Sequence, residues 1–268
     1  AATIPGLNNF ADAVDLLKEN YMGTLYNLME SRFGLEHGCL EEKCIADSYV
    51  ELPTDHDKVA AVLREQFDTI AVHALQERNY YIKYLESKGI KSREGNIAVS
   101  DLGYSGSIQN ALSKLLDVPL RGYYFATCFD IGDNDNPGNR YSGYFADNED
   151  PMTTESAVYR YSLVLESILT SPDGQLVSFE ERNGEVLPVF KKPNDRFNSL
   201  LMFHEGITNY CRDMLKNFGP YLLNFQPESK IVEYLLGKVL TNHKVAEEII
   251  SDFKVEDQYC SDGDILSI

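Results

Sequence analysis

The sequence predicts an α/β protein that has a three-layer core, a short and mostly parallel sheet, and large helical additions. A run of β-branched and small residues over Ile97–Ser100 is followed by helical spacing over Ser107–Leu116 and by an apolar run over Arg121–Thr127. This order is typical of a β-α-β unit, whose crossover is right-handed and whose strands are parallel. We therefore expect the two strands to be neighbours in one sheet, with the helix across one face.

Helical periodicity dominates the chain before this unit. Over Asn9–Phe33 the apolar residues recur every three or four positions, and Gly23 and Gly34 divide the segment into two short helices. A longer helix is predicted from near Asp57, with Gly89 closing its C-terminal end. Its buried stripe is expected to consist of Val59, Leu63, Phe67, Ile70, Ala74, Tyr81 and Leu85.

The chain after the unit is predicted to be a loop, a helix, a hairpin and further helices. Residues 129–151 are rich in Asp, Asn and Gly and indicate a long loop, after which Thr154–Thr170 has helical spacing. Residues 175–190 predict a hairpin, because Asn183-Gly184 suits a two-residue turn of type I′. Three more helices are expected over Asp195–Asn217, Glu228–Leu236 and Asn242–Phe253.

Composition limits the possible functions. The 268 residues carry 42 acidic and 24 basic side chains, a net charge of −18, which argues against binding to nucleic acid or to anionic lipid. No apolar run approaches the roughly 18 residues that a membrane span needs. The five cysteines are scattered and odd in number, which favours reduced thiols and a cytoplasmic protein. We predict an α/β domain over 1–192, with an N-terminal helical insertion, and a helical subdomain over 193–268.

Two groups of residues could suggest a metal site, and in both the simpler interpretation is preferred. His37, Cys39 and Cys44 lack the second ligand pair that structural zinc requires, so we expect a polar loop with incidental thiols. His73 and Glu77 are four residues apart on one helix and could share a metal. Without a third ligand, a solvated face or a local hydrogen bond is the better interpretation.

Three further patterns also favour ordinary structural roles. Residues 133–138 begin like a calcium loop, but Pro137 and Tyr144 stand where oxygen ligands belong, so we predict a flexible loop that could act as a lid. His204–Gly206 could be a site element at a helix break, and a kinked core helix is preferred. The tyrosines Tyr80, Tyr81 and Tyr84 are expected to pack rather than to stack on a sugar.

The junction between the first strand and its helix carries the most specific chemistry. The strand ends at Asp101, and a turn containing Gly103 and Gly106 leads into a helix that starts near Ser107. Glycines let a ligand approach the backbone, and the free N–H groups of a helix N-terminus attract anions. Hydroxyl donors come from Tyr104, Ser105 and Ser107. The segment predicts either a phosphate cradle, with Asp101 beside it for a sugar diol, or a plain turn with Ser107 as the helix N-cap.

The sequence "SDLGYSGSIQ", followed by a helix and the strand "GYYFA", resembles a domain attached to predicted haloacid-dehalogenase-type phosphatases of bacterial surface-polysaccharide loci. That domain is similar to phosphoribosyltransferases. The match extends more loosely to "AATIPG", "GTLYNLMESRFGL", "ERNYYIKYL" and "FEERNGEVLPVF", and so covers most of the chain, although only Asp101–Gln109 is specific. The resemblance implies a parallel sheet of phosphoribosyltransferase type.

The resemblance also implies roles for individual residues. The family carries two adjacent acids before its phosphate loop; the second acid corresponds to Asp101, and the first is replaced by Ser100. Asp101 would be catalytic, acting on the ribose hydroxyls. The implied substrate-binding residues are Gly103, Tyr104, Ser105, Gly106, Ser107 and Gln109. The chain is expected to begin inside the family domain, after an upstream Arg-containing strand.

The implied function is the transfer of a 5-phosphoribosyl group from phosphoribosyl pyrophosphate (PRPP) to a glycan acceptor. Mg²⁺ is expected with the pyrophosphate, without a dedicated protein site, and a fused or associated phosphatase is the implied partner. One alternative is a non-catalytic module that docks such a phosphatase or a glycosyltransferase through its helical C-terminal third. Another is a fragment of a hydrolase.

Overall fold

A computed structural model of the chain describes residues 6–35, 46–91, 96–129, 138–191, 197–222, 224, 228–242, 254–256 and 265–267. The N-terminal part is built around one apolar core. Its helices are α1 (Phe10–Asp15), continued by a 3-10 turn, and α2 (Leu25–Phe33). Asn9 and Asp12 form a capping box at the start of α1, and Gly34 ends α2 in the left-handed conformation at φ 67°.

The two predicted helices of this segment are interrupted by a strand. β1 (Tyr21–Thr24) pairs antiparallel with β2 (Tyr49–Leu52). The expectation of two helices divided at Gly23 was therefore wrong at Tyr21–Thr24, where the chain is a strand. Apolar spacing could not reveal the strand, because its partner lies some 28 residues away, and Thr24 serves as the N-cap of α2.

The long predicted helix is confirmed as α3 (His56–Ser87), which is followed by Gly89 at φ 83°. Four residues of the expected stripe are buried in the N-terminal core: Val59, Leu63, Ile70 and Ala74. The other half of the helix leaves that core. There Tyr81 and Tyr84 pack against Phe179, so the predicted packing role of the tyrosines is confirmed for these two.

The central sheet has three parallel strands in the order β3-β4-β5. The strands are β3 (Ala98–Asp101), β4 (Arg121–Cys128) and β5 (Arg140–Glu149). The helix α4 (Ser107–Leu116) connects the first two. The predicted β-α-β unit, with adjacent parallel strands, is thus confirmed. The chain is a mixed α/β protein in which this small parallel sheet accompanies separate antiparallel pairs.

The third strand was not predicted, because residues 129–151 were expected to form a loop. β5 carries many polar side chains, and three of its first five residues are exposed. A parallel strand is normally buried on both faces and has a continuous apolar run. Since one face of β5 is open at its start, that signal is missing from the sequence.

The remaining described elements are a hairpin, four helices and one more strand pair. β6 (Leu176–Arg182) and β7 (Glu185–Phe190) form the predicted hairpin, and both turn residues, Asn183 and Gly184, have positive φ, as a type I′ turn requires. The helix expected over Thr154–Thr170 breaks at Tyr161. The helices are α5 (Ala157–Arg160), α6 (Ser162–Ile168), α7 (Phe197–Leu222) and α8 (Ser229–Leu240).

The C-terminal third is helical only in part. α7 and α8 confirm two of the three predicted helices, whereas most of the third lies outside the described residues. A short antiparallel pair, β8 (Lys254–Glu256) with β9 (Ile265–Ser267), was not expected. None of the helices in the described ranges is both long and apolar enough to cross a membrane.

Candidate functional site

The candidate site is the turn between β3 and α4, at the carboxyl end of the parallel sheet. Parallel sheets bind their ligands at this end, because the loops that follow the strands meet there. Asp101 is the last residue of β3 and is half-buried. One of its carboxylate oxygens, Oδ1, accepts the backbone N–H of Gly103 at 3.1 Å. The carboxylate is therefore held over its own turn, and its position is fixed by the backbone.

The helix α4 begins without a side-chain cap. Gly106 is its N-cap, in the left-handed conformation at φ 70° and ψ 10°, and no side chain in the described part of the chain caps the helix. Ser107 is thus the first helical residue, not the N-cap that the plain-turn interpretation assigned to it. Its hydroxyl accepts a hydrogen bond from Ser105 at 3.3 Å, and both serines are exposed. The N–H groups of the first turn are left to solvent or to a ligand.

The turn is attached to the neighbouring strand. The carbonyl of Tyr104 accepts the backbone N–H of Cys128 at 3.2 Å, and the Cys128 thiol lies 3.3 Å from the same oxygen. The ring of Tyr104 packs on that of Tyr159, with the ring centres 5.2 Å apart. Only about a third of Tyr104 is exposed. The backbone and the ring of this residue hold the turn in place, and Ser105 and Ser107 remain accessible.

Gln109 is not in the accessible part of the turn. Its side chain is fully buried, and its Nε2 donates to the carbonyls of Leu120 (2.9 Å) and Arg140 (3.1 Å). Its Oε1 accepts the hydroxyl of Tyr124 at 2.9 Å. The amide thus joins α4 to the beginnings of β4 and β5. This places a residue of the expected substrate-binding set inside the protein, with all its polar groups bonded to protein atoms.

The buried hydroxyl of Tyr124 lies beneath the turn. Tyr124 is the register partner of Asp101, so both side chains are on the sheet face that α4 covers. Burial raises the pKa of Tyr124 well above its usual range, and the nearby charges of Asp101 and Tyr141 add to the effect. Tyr124 therefore stays neutral at physiological pH and acts as a hydrogen-bond donor to Gln109.

A second polar cluster lies at the same, carboxyl end of the sheet. Asp147 Oδ1 accepts the Thr127 hydroxyl at 2.7 Å and the backbone N–H of Gly143 at 2.8 Å. Thr127 in turn accepts the backbone N–H of Asn148, which has a positive φ of 58°. These bonds stabilise the irregular end of β5, where the pairing with β4 shifts. The Asp147 oxygen is therefore used structurally.

The sequence interpretation missed Tyr124, Thr127 and Asp147. The strand prediction over Arg121–Thr127 contained the first two, but their roles depend on partners that lie 15 to 20 residues away in the chain. Asp147 lay in the segment expected to be a loop. Alternation of Tyr141, Gly143 and Phe145 was the one available signal for a strand there, and the polar residues between them obscured it.

No group of three or more metal-binding side chains occurs among the residues that the structure describes. His37, Cys39 and Cys44 lie outside those residues, as does most of the calcium-like segment. Glu77 is buried and accepts the backbone N–H of Phe179, 102 residues away in the chain, at 3.2 Å. The expected solvated face or local hydrogen bond was therefore wrong for Glu77, whose bond instead joins α3 to a distant strand.

His204 has a structural contact, although its helix is not a core helix. Its Nε2 donates to the carbonyl of Ile168 at 2.7 Å, and α7 continues through Gly206 without a break. Most residues of α7 after this point are exposed. The structure therefore does not have the expected kinked core helix. The hydrogen bond of His204 instead attaches the beginning of a largely exposed helix to Ile168, at the end of α6.

No protein-family model and no curated protein matches the chain.

Proposed function

We propose that the turn between β3 and α4 binds the phosphate of a phosphoribosyl donor, and that the protein transfers the phosphoribosyl group from PRPP to a glycan acceptor in surface-polysaccharide synthesis. In this reaction the bond from the anomeric carbon to pyrophosphate breaks, a bond from that carbon to an acceptor hydroxyl oxygen forms, and the hydroxyl proton is released to solvent. The observation that carries the proposal is the uncapped N-terminus of α4, placed at the carboxyl end of a parallel strand with exposed Ser105 and Ser107 beside it.

The turn supplies two kinds of contact that the donor needs. The free N–H groups of the first turn of α4, with the Ser105 and Ser107 hydroxyls, would bind the 5-phosphate. Asp101 Oδ1 is held by the Gly103 backbone, whereas its second oxygen has no hydrogen-bond donor within the described ranges. That oxygen would accept a ribose hydroxyl. Since substitution at an anomeric carbon has an oxocarbenium-like transition state, a fixed carboxylate near the ring also stabilises developing positive charge.

Mg²⁺ enters this proposal with the donor. Mg²⁺ is usually held by one or two carboxylates together with substrate phosphates and water. At the turn the described residues offer one carboxylate, Asp101. At the same end of the sheet, Asp147 is bonded to Thr127 and Gly143, and Glu149 accepts the Thr154 hydroxyl. These residues fit an ion carried by pyrophosphate better than a resident metal.

Calorimetric titration of Mg²⁺–PRPP into the protein tests the proposal. Asp101→Asn keeps the shape of the side chain and removes its charge, and we expect a ten- to hundredfold loss of affinity, since a charged hydrogen bond is worth about 1.5–3 kcal/mol. Asp117→Asn is the matched control. It removes the same charge at the other end of α4, where the left-handed backbone at φ 55° suits Asn.

Ser107→Ala should also weaken PRPP binding, whereas it should leave the binding of ribose unchanged. Gly106 is a poor choice for the test, because its positive φ makes any side chain strained whatever the ligand does. Equal PRPP affinity in the parent, Asp101→Asn and Ser107→Ala proteins would contradict the proposal. So would a parent protein that binds no PRPP at all.

The second candidate function is a docking module for a haloacid-dehalogenase-type phosphatase. Its supporting observation is an apolar stripe on the exposed part of α7, formed by Ile207, Tyr210, Phe218 and Tyr221. Binding of such a phosphatase that is abolished by Tyr210→Glu and retained in Arg160→Glu, together with no PRPP binding, would favour this function over transfer.

A further inference from the structure

One half of the parallel sheet has an open face. Register partners lie on the same side of a sheet, so Ala98, Arg121 and Arg140 share one face, and so do Ser100, Tyr123 and Ser142 one step further along. All six side chains are exposed. The opposite face is covered by α4. Parallel sheets are normally covered on both faces, so an exposed face at this position indicates a contact surface.

Two arginines stand directly opposite each other on this face. Arg121 and Arg140 are the first residues of β4 and β5 and are register partners. Like charges at such positions repel and destabilise a sheet. Neither guanidinium forms an ion pair with a carboxylate of the described residues; the Arg140 group only donates to the carbonyl of Asn139, at 3.3 Å. In a chain of net charge −18, it is unusual for two neighbouring cations to have no carboxylate partner among the described residues.

The arginines border an open pocket of about 320 Å³. Its walls are formed by Arg121, Gly122, Tyr123, Arg140, Tyr141 and Ser142. Two guanidinium groups supply paired N–H donors, the Tyr123 and Ser142 hydroxyls can add two more, and the exposed Tyr123 ring gives a flat apolar surface. The pocket is at the amino ends of β4 and β5, and the candidate turn follows the carboxyl end of β3.

We propose that this pocket binds the phosphate group of a small phosphorylated compound. Guanidinium groups match phosphate oxygens with two parallel hydrogen bonds each, which favours phosphate over a single-point anion such as chloride. A bound dianion would also remove the repulsion between the two arginines. The volume suits a phosphate with an attached ring of sugar size, which the Tyr123 ring would contact. This site is independent of the turn that holds Asp101, and it does not rest on the proposed transferase function.

Titrations with inorganic pyrophosphate and with ribose 5-phosphate at low ionic strength test the proposal. Arg121→Gln and Arg140→Gln should each weaken binding at least tenfold, and Arg121→Lys should weaken it less, because it keeps the charge and loses the paired donors. Arg160→Gln is the matched control, since Arg160 is an exposed arginine on α5 that does not line the pocket. The affinity of Arg160→Gln for both compounds should equal that of the parent protein.

Two further measurements separate this pocket from the turn and from folding defects. Asp101→Asn should leave ribose 5-phosphate binding at this pocket intact, because Asp101 is not part of the pocket. A second, weaker binding event that persists in Arg121→Gln is assigned to the turn. Without ligand, Arg121→Gln should unfold at the same or a higher temperature than the parent, because repulsion is removed. Parent-like affinity in both arginine variants would overturn the proposal. So would a parent that binds neither compound, or one whose binding is abolished by Asp101→Asn alone.

Discussion

Gln109 occupies the space that a side chain on Gly122 would need. A Cβ built on Gly122 would lie 1.9 Å from the Gln109 Oε1 and 2.3 Å from the Tyr124 ring. The absence of a side chain on β4 thus lets the amide of α4 approach the sheet closely enough to bond Leu120 and Arg140. The position of α4, and with it the position of the turn, depends on this contact.

Gly122→Ala should therefore destabilise the protein by about 1–3 kcal/mol, the usual cost of overpacking a core. Urea unfolding measures the change. Combining it with Gln109→Ala should cost less than the sum of the two single changes, because the shorter side chain at 109 removes the clash with Gln109 and leaves only the one with the Tyr124 ring. Gly103→Ala is the control: its Cβ would lie 3.6 Å from the Asp101 carboxylate, an ordinary contact. An additive double variant would show that Gly122 does not act through Gln109.

Substitution of Arg32 is expected to lower the stability of the folded protein strongly. Its guanidinium is fully buried and donates to the carbonyls of Leu16 (2.7 Å), Glu19 (3.1 Å) and Asn20 (2.6 Å). Arg32→Met leaves these acceptors without their donor, and we expect a cost of about 3 kcal/mol or more in the free energy of unfolding.

Arg32→Lys should recover part of that loss, since an ammonium group can reach only some of the carbonyls. Arg64→Met provides the comparison, because the Arg64 guanidinium lies over the Phe10 ring at 4.9 Å on the outside of the same core. It should cost no more than about 1 kcal/mol. Equal effects of Arg32→Met and Arg64→Met would contradict the structural role of the buried guanidinium.

The contribution of the Glu77 carboxyl to the stability of the folded protein is expected to depend on pH. Burial raises the pKa of its carboxyl, although the Phe179 N–H and the nearby His73 act in the opposite direction. The folded protein therefore holds the Glu77 proton more tightly than the unfolded chain does, and this contribution to stability is lost as the pH rises through the folded pKa. Glu77→Gln has no charge to bury and keeps an oxygen for the Phe179 N–H.

The stability of Glu77→Gln relative to the parent should consequently increase from pH 4 to pH 7. Chemical unfolding at several pH values measures this difference. Glu86→Gln, an exposed change on the same helix, should show no such trend. A difference between Glu77→Gln and parent that stays constant with pH would mean that the carboxyl is not perturbed by burial.

Local patterns predicted those parts of the fold whose partners are close in the chain. Apolar spacing and Gly89 were sufficient for α3, and Asn183-Gly184 was sufficient for the hairpin, because each depends on residues within a few positions. The strand at Tyr21–Thr24 was missed since it exists through pairing with a distant segment. β5 was missed because its open face removes the apolar run that marks a parallel strand.

The site could be predicted to a similar extent. The order of strand, glycine-containing turn and helix located Asp101, Ser105 and Ser107 at one edge of the sheet. Sequence could not show that Gln109 points inward, because the reason is the missing side chain of Gly122 on a neighbouring strand. Nor could it place Arg121 opposite Arg140, since that depends on the register of a strand that was not expected.

The contact between α3 and the β6–β7 hairpin has a consequence during synthesis. Glu77 meets Phe179 across a sequence separation of 102 residues. At typical translation rates of about 5–20 residues per second, the far half of α3 is made roughly 5–20 seconds before its hairpin partner. During that interval Tyr81 and Tyr84 have no Phe179 ring to pack against. The nascent chain must therefore tolerate an incompletely packed apolar helix surface until the hairpin is made.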